Sequence, residues 1–239
     1  MSLHSSLRSR IKRARKAGVW WVRVFDGLRP ILTMEGRGQL WTRIAHRGEV
    51  HQTTPYTAED RYPELFDLAA KLRPDVRRIL SFGCSTGEEL VALRRRFPGA
   101  EIVGAEINSR SRRIAARRVA LDDRAAVISP REISGSFDLI FALAVFQREP
   151  HKVVEMEIED LSAYYPFERF ERTVTELTHR LEPDGLMCVF HAHYPVEQTS
   201  AATQLEPIAD SPWLQPPLFG RDSRRLPRTA ARTIFRKRG

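Results

Sequence analysis

Short apolar runs alternate with helical stretches over residues 78–191, and this alternation predicts a parallel, doubly wound α/β sheet with helices on both faces. The predicted strands are Arg78–Phe82, Glu101–Glu106, Ala125–Ile128, Phe137–Leu143 and Leu186–His191. Apolar residues at steps of three and four predict the helices Glu88–Phe97, Arg110–Leu121 and Glu168–Leu181.

The two ends of the chain follow other patterns. Residues 1–28 place apolar residues at helical spacing among basic ones, which predicts a basic amphipathic helix. A linker punctuated by glycine and proline follows, so we expect a helical extension over residues 1–47 and one domain over residues 48–239. Residues 200–228 contain five prolines and are predicted to be mostly loop. Pro183-Asp184-Gly185 is predicted to be a turn, and Thr233–Arg236 an edge strand.

Composition narrows the class of protein. The chain has 239 residues, of which 42% are hydrophobic, so wholesale disorder is excluded. No stretch reaches the ~18 apolar residues that indicate a membrane span. Cys84 and Cys188 are the only cysteines, too few for a disulfide scaffold. We therefore expect a reduced, cytoplasmic protein.

The net charge of +9 is unevenly distributed. Residues 1–47 carry 11 lysines and arginines against two acids, and residues 221–239 carry eight against one, so the body between them is acidic. The basic helix predicted over residues 1–28 ends in Trp20, Trp21 and Phe25, which suit a lipid–water boundary. It is expected to dock on an anionic membrane surface. Packing on the domain, RNA binding and a removed targeting segment are the alternatives, and nucleic acid is a less favoured partner.

The most informative stretch runs from Ile79 to Asn108. An apolar strand leads into Gly83-Cys84-Ser85-Thr86-Gly87, and a helix begins directly after it. Glycine permits a sharp turn and close approach of a ligand, and free N–H groups at a helix start bind anions. Glu106 ends the next strand 23 residues after Gly83, near the ~20-residue offset at which an acid reaches a ribose diol. This unit predicts a nucleoside ligand.

The loop lacks the signatures of phosphate binding. A dinucleotide loop reads G-x-G-x-x-G and a P-loop ends in G-K-[ST], whereas here Ser85 stands in the middle and Glu88 follows Gly87. Glu88 and Glu89 would repel a pyrophosphate, and they suit a ligand that carries positive charge.

Four motifs over residues 74–195 resemble those of class I S-adenosylmethionine-dependent methyltransferases: Gly83–Gly87, Ala105-Glu106-Ile107, Phe137–Ala142 and Leu181–Leu186. The resemblance implies a Rossmann-like seven-stranded sheet with a final antiparallel hairpin, and S-adenosylmethionine as cofactor. It also implies the cofactor contacts: the methionine moiety at Gly83, Cys84, Ser85 and Gly87, the ribose at Glu106, adenine at Ile107, and a further contact at Ala142.

Two positions depart from the pattern of that family. Ser81 stands where the family often has an acid, two residues before the first glycine. Ser129-Pro130-Arg131 stands where many members have an aspartate that meets the adenine amine. Ser129 or backbone groups are expected to serve adenine instead.

Methyl transfer requires a general base only when the acceptor must lose a proton, and we assign no catalytic residue from the sequence. His191 and His193 lie two apart on a predicted strand and are expected to point the same way. His51, Tyr56 and Asp60 are the other candidates. Two half-buried histidines with satisfied hydrogen bonds are the alternative, and no metal site is expected because only two ligands are visible.

Three further features have two interpretations each. Residues 51–56 are either a lid over the cofactor or a polar linker. Cys84 lies beside helix-start amides that can lower a thiol pKa, but the absence of a base partner favours a packing role. The acidic residues from Glu155 to Asp160 either attract a cationic acceptor or form a solvated face.

The sequence therefore predicts an S-adenosylmethionine-dependent methyltransferase that acts on a small molecule or a lipid-linked metabolite. A protein-glutamate methyltransferase is one alternative, because Ser-Thr-Gly-Glu-Glu after a cysteine is similar to a segment of the chemotaxis-receptor methyltransferases. The other is a membrane- or nucleic-acid-associated interaction protein with a non-catalytic cofactor fold. The expected location is cytoplasmic, with peripheral membrane association through residues 1–28.

Overall fold

The computed structural model describes residue 51 and residues 60–210, 216–227 and 232–239. The predicted helix of residues 1–28 and Tyr56 lie outside these described residues. No helix within them is long and apolar enough to cross a membrane.

Seven strands form one mixed sheet in the order β3-β2-β1-β4-β5-β7-β6. Their bounds are β1 Arg78–Phe82, β2 Glu101–Ala105, β3 Ala125–Ile128, β4 Phe137–Leu143, β5 Leu181–Phe190, β6 Leu205–Asp210 and β7 Arg232–Lys237. Strands β1 to β5 are parallel to one another, and β7 is antiparallel to both β5 and β6. The Rossmann-like, seven-stranded fold class is confirmed.

Helices cover both faces of this sheet because each central strand is apolar on both sides. Their bounds are α1 Pro63–Leu72, α2 Glu88–Arg96, α3 Ser109–Arg118, α4 Pro150–Glu155 and α5 Phe167–His179. Neighbouring residues of one strand enter different cores: Ile79 belongs to the core that contains Phe66 of α1 and Leu93 of α2. Leu80 belongs instead to the core that contains Phe170 of α5.

Two sequence predictions about the last strands are corrected. Strand β5 begins at Leu181 rather than at Leu186, and the predicted turn lies inside it as a bulge: Leu181 pairs with Phe137 and Leu186 with Leu139. Asp184 in the bulge has φ of +59°. The extra residues of β5 loop out, and the strand then resumes its pairing with β4.

The edge of the sheet also differs from the prediction. Residues 205–210, predicted as loop, form the edge strand β6, and β7 lies inside it. Pro207 pairs with Phe235 of β7. Proline is tolerated on an edge strand because its outer side needs no N–H donor, so the proline content concealed this strand.

Candidate functional site

The sheet order reverses direction between β1 and β4, which lie side by side. The chain leaves β1 toward β2 and β3 on one side, and it continues from β4 to β5 on the other. In open α/β sheets, ligands bind at such a switch point, outside the carboxyl ends of the strands. We call the ends of β1, β2, β4 and β5 the carboxyl edge.

The loop between β1 and α2 has a conformation that depends on glycine. Gly83 and Gly87 have φ of +81° and +88°, and Ser85 between them has φ of +50°. A Cβ on Gly83 would come within 2.7 Å of Cγ2 of Val145, and one on Gly87 within 3.0 Å of the Ala115 backbone. Both glycines are therefore required for backbone conformation and for packing.

Glu106 connects this loop to the end of β2. One carboxylate oxygen accepts a hydrogen bond from the Ser85 N–H at 2.9 Å, and the other from the Asn108 N–H at 2.7 Å. The side chain is buried, and this burial raises the pKa of the carboxyl, while the two backbone donors oppose the rise. A carboxylate has about four acceptor sites, so Glu106 has capacity left for the two hydroxyls of a ribose.

Ser85 carries a buried hydroxyl without a partner among the described residues. Its Oγ forms no hydrogen bond with them, although a buried hydroxyl normally has one. The hydroxyl sits in the glycine-bounded loop, beside the Glu106 carboxylate that binds the Ser85 N–H. An unpaired hydroxyl here fits a polar ligand at the loop.

Cys84 has a packing environment rather than a reactive one. It is 2% exposed, and its Sγ would be 2.9 Å from a Cβ on Gly104. Burial raises the pKa of the thiol well above its ordinary value, and Glu106 adds to the rise. These observations agree with the small-residue packing that the sequence favoured.

The other predicted cofactor residues lie in different environments. Ile107 follows Glu106 at the carboxyl edge and is partly exposed. Ser129 is also partly exposed, and its N–H donates to Glu132 at 2.7 Å within the turn Pro130–Glu132. Ala142 is fully buried in the core, so it offers no surface for a ligand.

Arginine contacts from α3 hold the loop and were missed by sequence reasoning. Arg118 donates to the Thr86 carbonyl at 2.8 Å and pairs with Glu88 at 2.7 Å. Arg112 donates to the Glu106 carbonyl at 2.8 Å. The sequence does not predict these contacts, because arginines on a helix usually indicate only a solvated face.

The Glu89 carboxyl lies beside Ser81, the position on β1 where the family pattern has an acid. The Ser81 hydroxyl donates to Oε1 of Glu89 at 2.7 Å. Burial raises the pKa of Glu89 to about 7, although the bond from Ser81 and the charge of Arg61 both lower it. A carboxyl on α2 therefore lies beside the residue where the family pattern has an acid on β1.

The expectation that His191 and His193 share one face is wrong. Strand β5 ends at Phe190, and His191 has φ of +52°, which turns the chain. Nδ1 of His191 lies 3.1 Å from the Tyr62 hydroxyl. The ring of His193 is fully buried between the carbonyls of Arg148 and Pro217, at 3.2 and 3.4 Å.

The remaining candidates separate by environment. Asp60 pairs with Arg96 at 2.8 Å, and His51 is buried against Tyr165 and Thr173. The acidic residues after β4 are exposed, as the solvated alternative requires: Glu155, Glu157, Glu159 and Asp160. Within the described ranges, no three potential ligand side chains cluster as a metal site.

Comparison with known proteins identifies the family of the chain. A family model described as a methyltransferase domain matches residues 54–207. No curated protein matches the chain. Many solved structures do, at low sequence identity.

Three of these structures illustrate the range. TehB from Haemophilus influenzae is 13% identical, with 77% of this chain and 64% of that chain covered and a TM-score of 0.51, which supports the shared fold. An amino pentose methyltransferase from Micromonospora echinaspora, solved with S-adenosylmethionine bound, is 20% identical, with 65% and 57% covered and a TM-score of 0.41. The N-methyltransferase NodS from Bradyrhizobium japonicum is 13% identical, with 75% and 99% covered and a TM-score of 0.45. The chain thus spans less than two thirds of the first two.

Proposed function

Because the chain belongs to the methyltransferase-domain family, we propose that it transfers the methyl group of S-adenosylmethionine to a small molecule or a lipid-linked metabolite. The family supplies the reaction class. The site at the carboxyl edge supplies the reason to expect that this chain binds the donor.

The observation that carries the proposal is the joined geometry of the glycine loop and Glu106. Gly83, Ser85 and Gly87 would hold the methionine end of the donor, with the unpaired Ser85 hydroxyl as a hydrogen-bonding group. Glu106, already oriented by two backbone donors, would accept from the ribose hydroxyls. Ile107 and Ser129, both partly exposed near the ends of β2 and β3, would flank the adenine.

The negative charge around the loop suits this donor. Glu89 and Glu106 place carboxyl groups at the loop, and S-adenosylmethionine carries a sulfonium and an ammonium group. A dinucleotide or nucleoside triphosphate would bring phosphates to the same carboxylates. The electrostatics therefore favour the cationic donor over phosphate-bearing nucleotides.

The bound donor supplies an electrophilic methyl group, and the chain's residues would position it. Methyl transfer is an in-line displacement, so alignment of the acceptor and exclusion of water provide much of the rate. Phe82 at the end of β1 is partly exposed and would line the acceptor side. The buried Phe146 supports it, with 6.0 Å between the two ring centroids.

Ligand-induced stabilisation tests the donor assignment. S-adenosylmethionine and its demethylated product should raise the melting temperature, and NAD and ATP should not. At ~100 times the dissociation constant, a ligand that binds only the folded state adds about 2.7 kcal/mol to the free energy of unfolding. The assignment fails if neither S-adenosyl compound shifts the melting temperature. Donor binding without turnover on any acceptor would favour the non-catalytic alternative.

We further propose that residues 1–28, which lie outside the described residues, dock the enzyme on an anionic membrane surface. The support is the sequence: basic residues at helical spacing beside an aromatic end, in a segment that carries much of the net positive charge. Such helices bind through apolar burial and attraction to anionic lipids.

A further inference from the structure

Three histidines lie near the carboxyl edge, and their hydrogen bonds distinguish them. Both ring nitrogens of His51 have partners, the hydroxyls of Tyr165 and Thr173. Both ring nitrogens of His193 face backbone carbonyls. The Nδ1 of His191 contacts the Tyr62 hydroxyl, and within the described part of the chain its Nε2 has no hydrogen-bonding partner. Of these three histidines, only His191 has a ring nitrogen without a hydrogen-bonding partner among the described residues.

The ring of His191 is held in place on two sides. It stacks on Phe190 with 4.1 Å between ring centroids and an interplanar angle of 24°. It meets the Tyr62 ring edge-on at 5.7 Å. Its backbone has φ of +52°, a left-handed conformation that a non-glycine residue adopts at a cost, and such strain is concentrated at functional sites. The strained residue stands directly after β5, beside the carboxyl end of β4.

The protonation state of His191 suits a proton acceptor. Burial and, to a smaller extent, the positive charge of Arg61 lower the pKa of its imidazole to about 4. The ring is therefore neutral at pH 7, with one nitrogen lone pair. Arg61 also acts on Glu89, which places His191 in the same charged neighbourhood as the β1–α2 loop.

We propose that His191 is the general base for methyl transfer to a hydroxyl acceptor, with Tyr62 as its positioning residue; this inference rests on the proposed function. In this arrangement Nδ1–H donates to the Tyr62 hydroxyl oxygen, and the Nε2 lone pair faces the acceptor. A bond in this direction leaves a lone pair on Nε2, as a base requires, and the stacked Phe190 holds the plane of the ring.

The step balances without a further reactant. The acceptor oxygen forms a bond to the methyl carbon, and the carbon–sulfur bond of the donor breaks, with its electron pair passing to sulfur. The acceptor O–H proton passes to Nε2 and then to water, which leaves a methyl ether and the neutral thioether product.

The chemistry of the base selects the class of acceptor. A hydroxyl oxygen becomes strongly acidic as it is methylated, so even a weak base captures its proton during the transfer. A neutral amine attacks without a base, whereas a hydroxyl must lose its proton during the transfer. A base at this site therefore fits an oxygen acceptor, such as a phenol or a sugar hydroxyl.

The tautomer is tested without knowledge of the acceptor. Nitrogen-15 NMR of histidine-labelled full-length protein should show His191 neutral from pH 7 to pH 5, with its proton on Nδ1; Tyr62→Phe should give a mixture of tautomers. Assignment uses His191→Gln as the variant in which the signal disappears. A wild-type His191 with its proton on Nε2, or a charged ring at pH 7, would overturn the proposal.

Methyl transfer tests the role directly. Radiolabelled S-adenosylmethionine is incubated with full-length protein and a panel of phenols, sugars and primary amines. The wild type should label hydroxyl acceptors, and His191→Gln should bind S-adenosylhomocysteine normally by calorimetry while losing 10²–10⁴-fold in rate. His179→Gln, at an exposed position on α5, is the matched control and should keep the wild-type rate.

The outcomes separate the two proposals. A wild type that binds no S-adenosyl compound refutes the methyltransferase proposal itself. A wild type that binds the donor but labels only amines, or a His191→Gln variant with the wild-type rate, overturns the assignment of His191 and leaves the donor site standing.

Discussion

At the scale of single residues, Glu106 should determine donor affinity. In Glu106→Ala, the ribose loses two hydrogen bonds to a charged acceptor, each worth ~1.5–3 kcal/mol. We expect donor binding weaker by on the order of 100-fold or more, measured by calorimetry. The Ser85 and Asn108 N–H groups also lose their acceptor, so the melting temperature should fall by a few degrees. Wild-type affinity in this variant would exclude Glu106 from the site.

Removal of the Glu89 charge should stabilise the fold, whereas Glu106→Ala should destabilise it. Its pKa, raised to about 7 from 4.5 by burial, means that the folded state holds a proton more tightly than the unfolded state. The penalty for the buried charge is absent below about pH 4.5 and complete above about pH 7. Glu89→Gln should therefore melt higher than the wild type at pH 8, with a difference that disappears by pH 4.

The expected increase in melting temperature for Glu89→Gln can be estimated, and the adjacent Glu88 provides a control. For a domain of this size, each kcal/mol shifts the melting temperature by about 2–4 °C, and we expect a shift of that order in scanning calorimetry. Glu88→Gln is the matched control: Glu88 pairs with Arg118, so its neutralisation should not stabilise the protein at either pH. Equal melting temperatures of wild type and Glu89→Gln at pH 8 would contradict the prediction.

The roles of individual residues could be predicted only in part from the sequence. The strand–glycine loop–helix–acid unit predicts Gly83, Gly87 and Glu106 because each has a backbone or charge requirement that a motif records. The hydrogen bond between Ser81 and Glu89 was not predicted, because the two residues lie on different elements and meet only when α2 packs on β1. The prediction that His191 and His193 point the same way was wrong, because alternation of side chains holds only within a strand. Strand β5 ends at Phe190, one residue earlier than predicted.

At the scale of elements, the β1–α2 loop can be tested through its last glycine. Gly87→Ala would adopt φ of +88° and bring a Cβ within 3.0 Å of the Ala115 backbone on α3, so α2 and α3 must separate or the loop must distort. We expect destabilisation by about 1–3 kcal/mol in urea unfolding, with weakened donor binding. Gly99→Ala is the matched control, because a Cβ there meets nothing within 4 Å. Equal effects from the two substitutions would contradict the strained-loop account.

The bounds of helices and strands were predicted correctly where the hydrophobic pattern alone determines them. The bounds of β1, β3 and β4 are as predicted. Strand β4 is the clearest case, because it is buried along its whole length and is therefore almost entirely apolar. The short helix α4 and the edge strand β6 were not foreseen, since Pro150 and Pro207 resemble loop residues in isolation. Proline is nevertheless permitted at the first turn of a helix and on an edge strand.

At the scale of the whole molecule, the sheet order explains why the glycine loop and Glu106 meet. Four strands spread over more than 100 residues of sequence end at one edge, because β1, β2, β4 and β5 run parallel and adjacent. The family match identifies a methyltransferase domain. The charge distribution along the chain bears on where the proposed enzyme would act.

Residues 1–28 should bring the enzyme to anionic membranes. Six basic residues lie between Arg8 and Lys16, and each contributes about 1 kcal/mol near an acidic membrane surface. The full chain should float with vesicles that contain anionic lipid at low salt, and a chain that lacks residues 1–28 should stay in the soluble fraction. High salt or neutral vesicles should weaken flotation of the full chain, because the attraction is screened or absent. Negligible binding of both chains would end the membrane proposal, and loss of cooperative melting in the shortened chain would indicate that the segment packs on the domain instead.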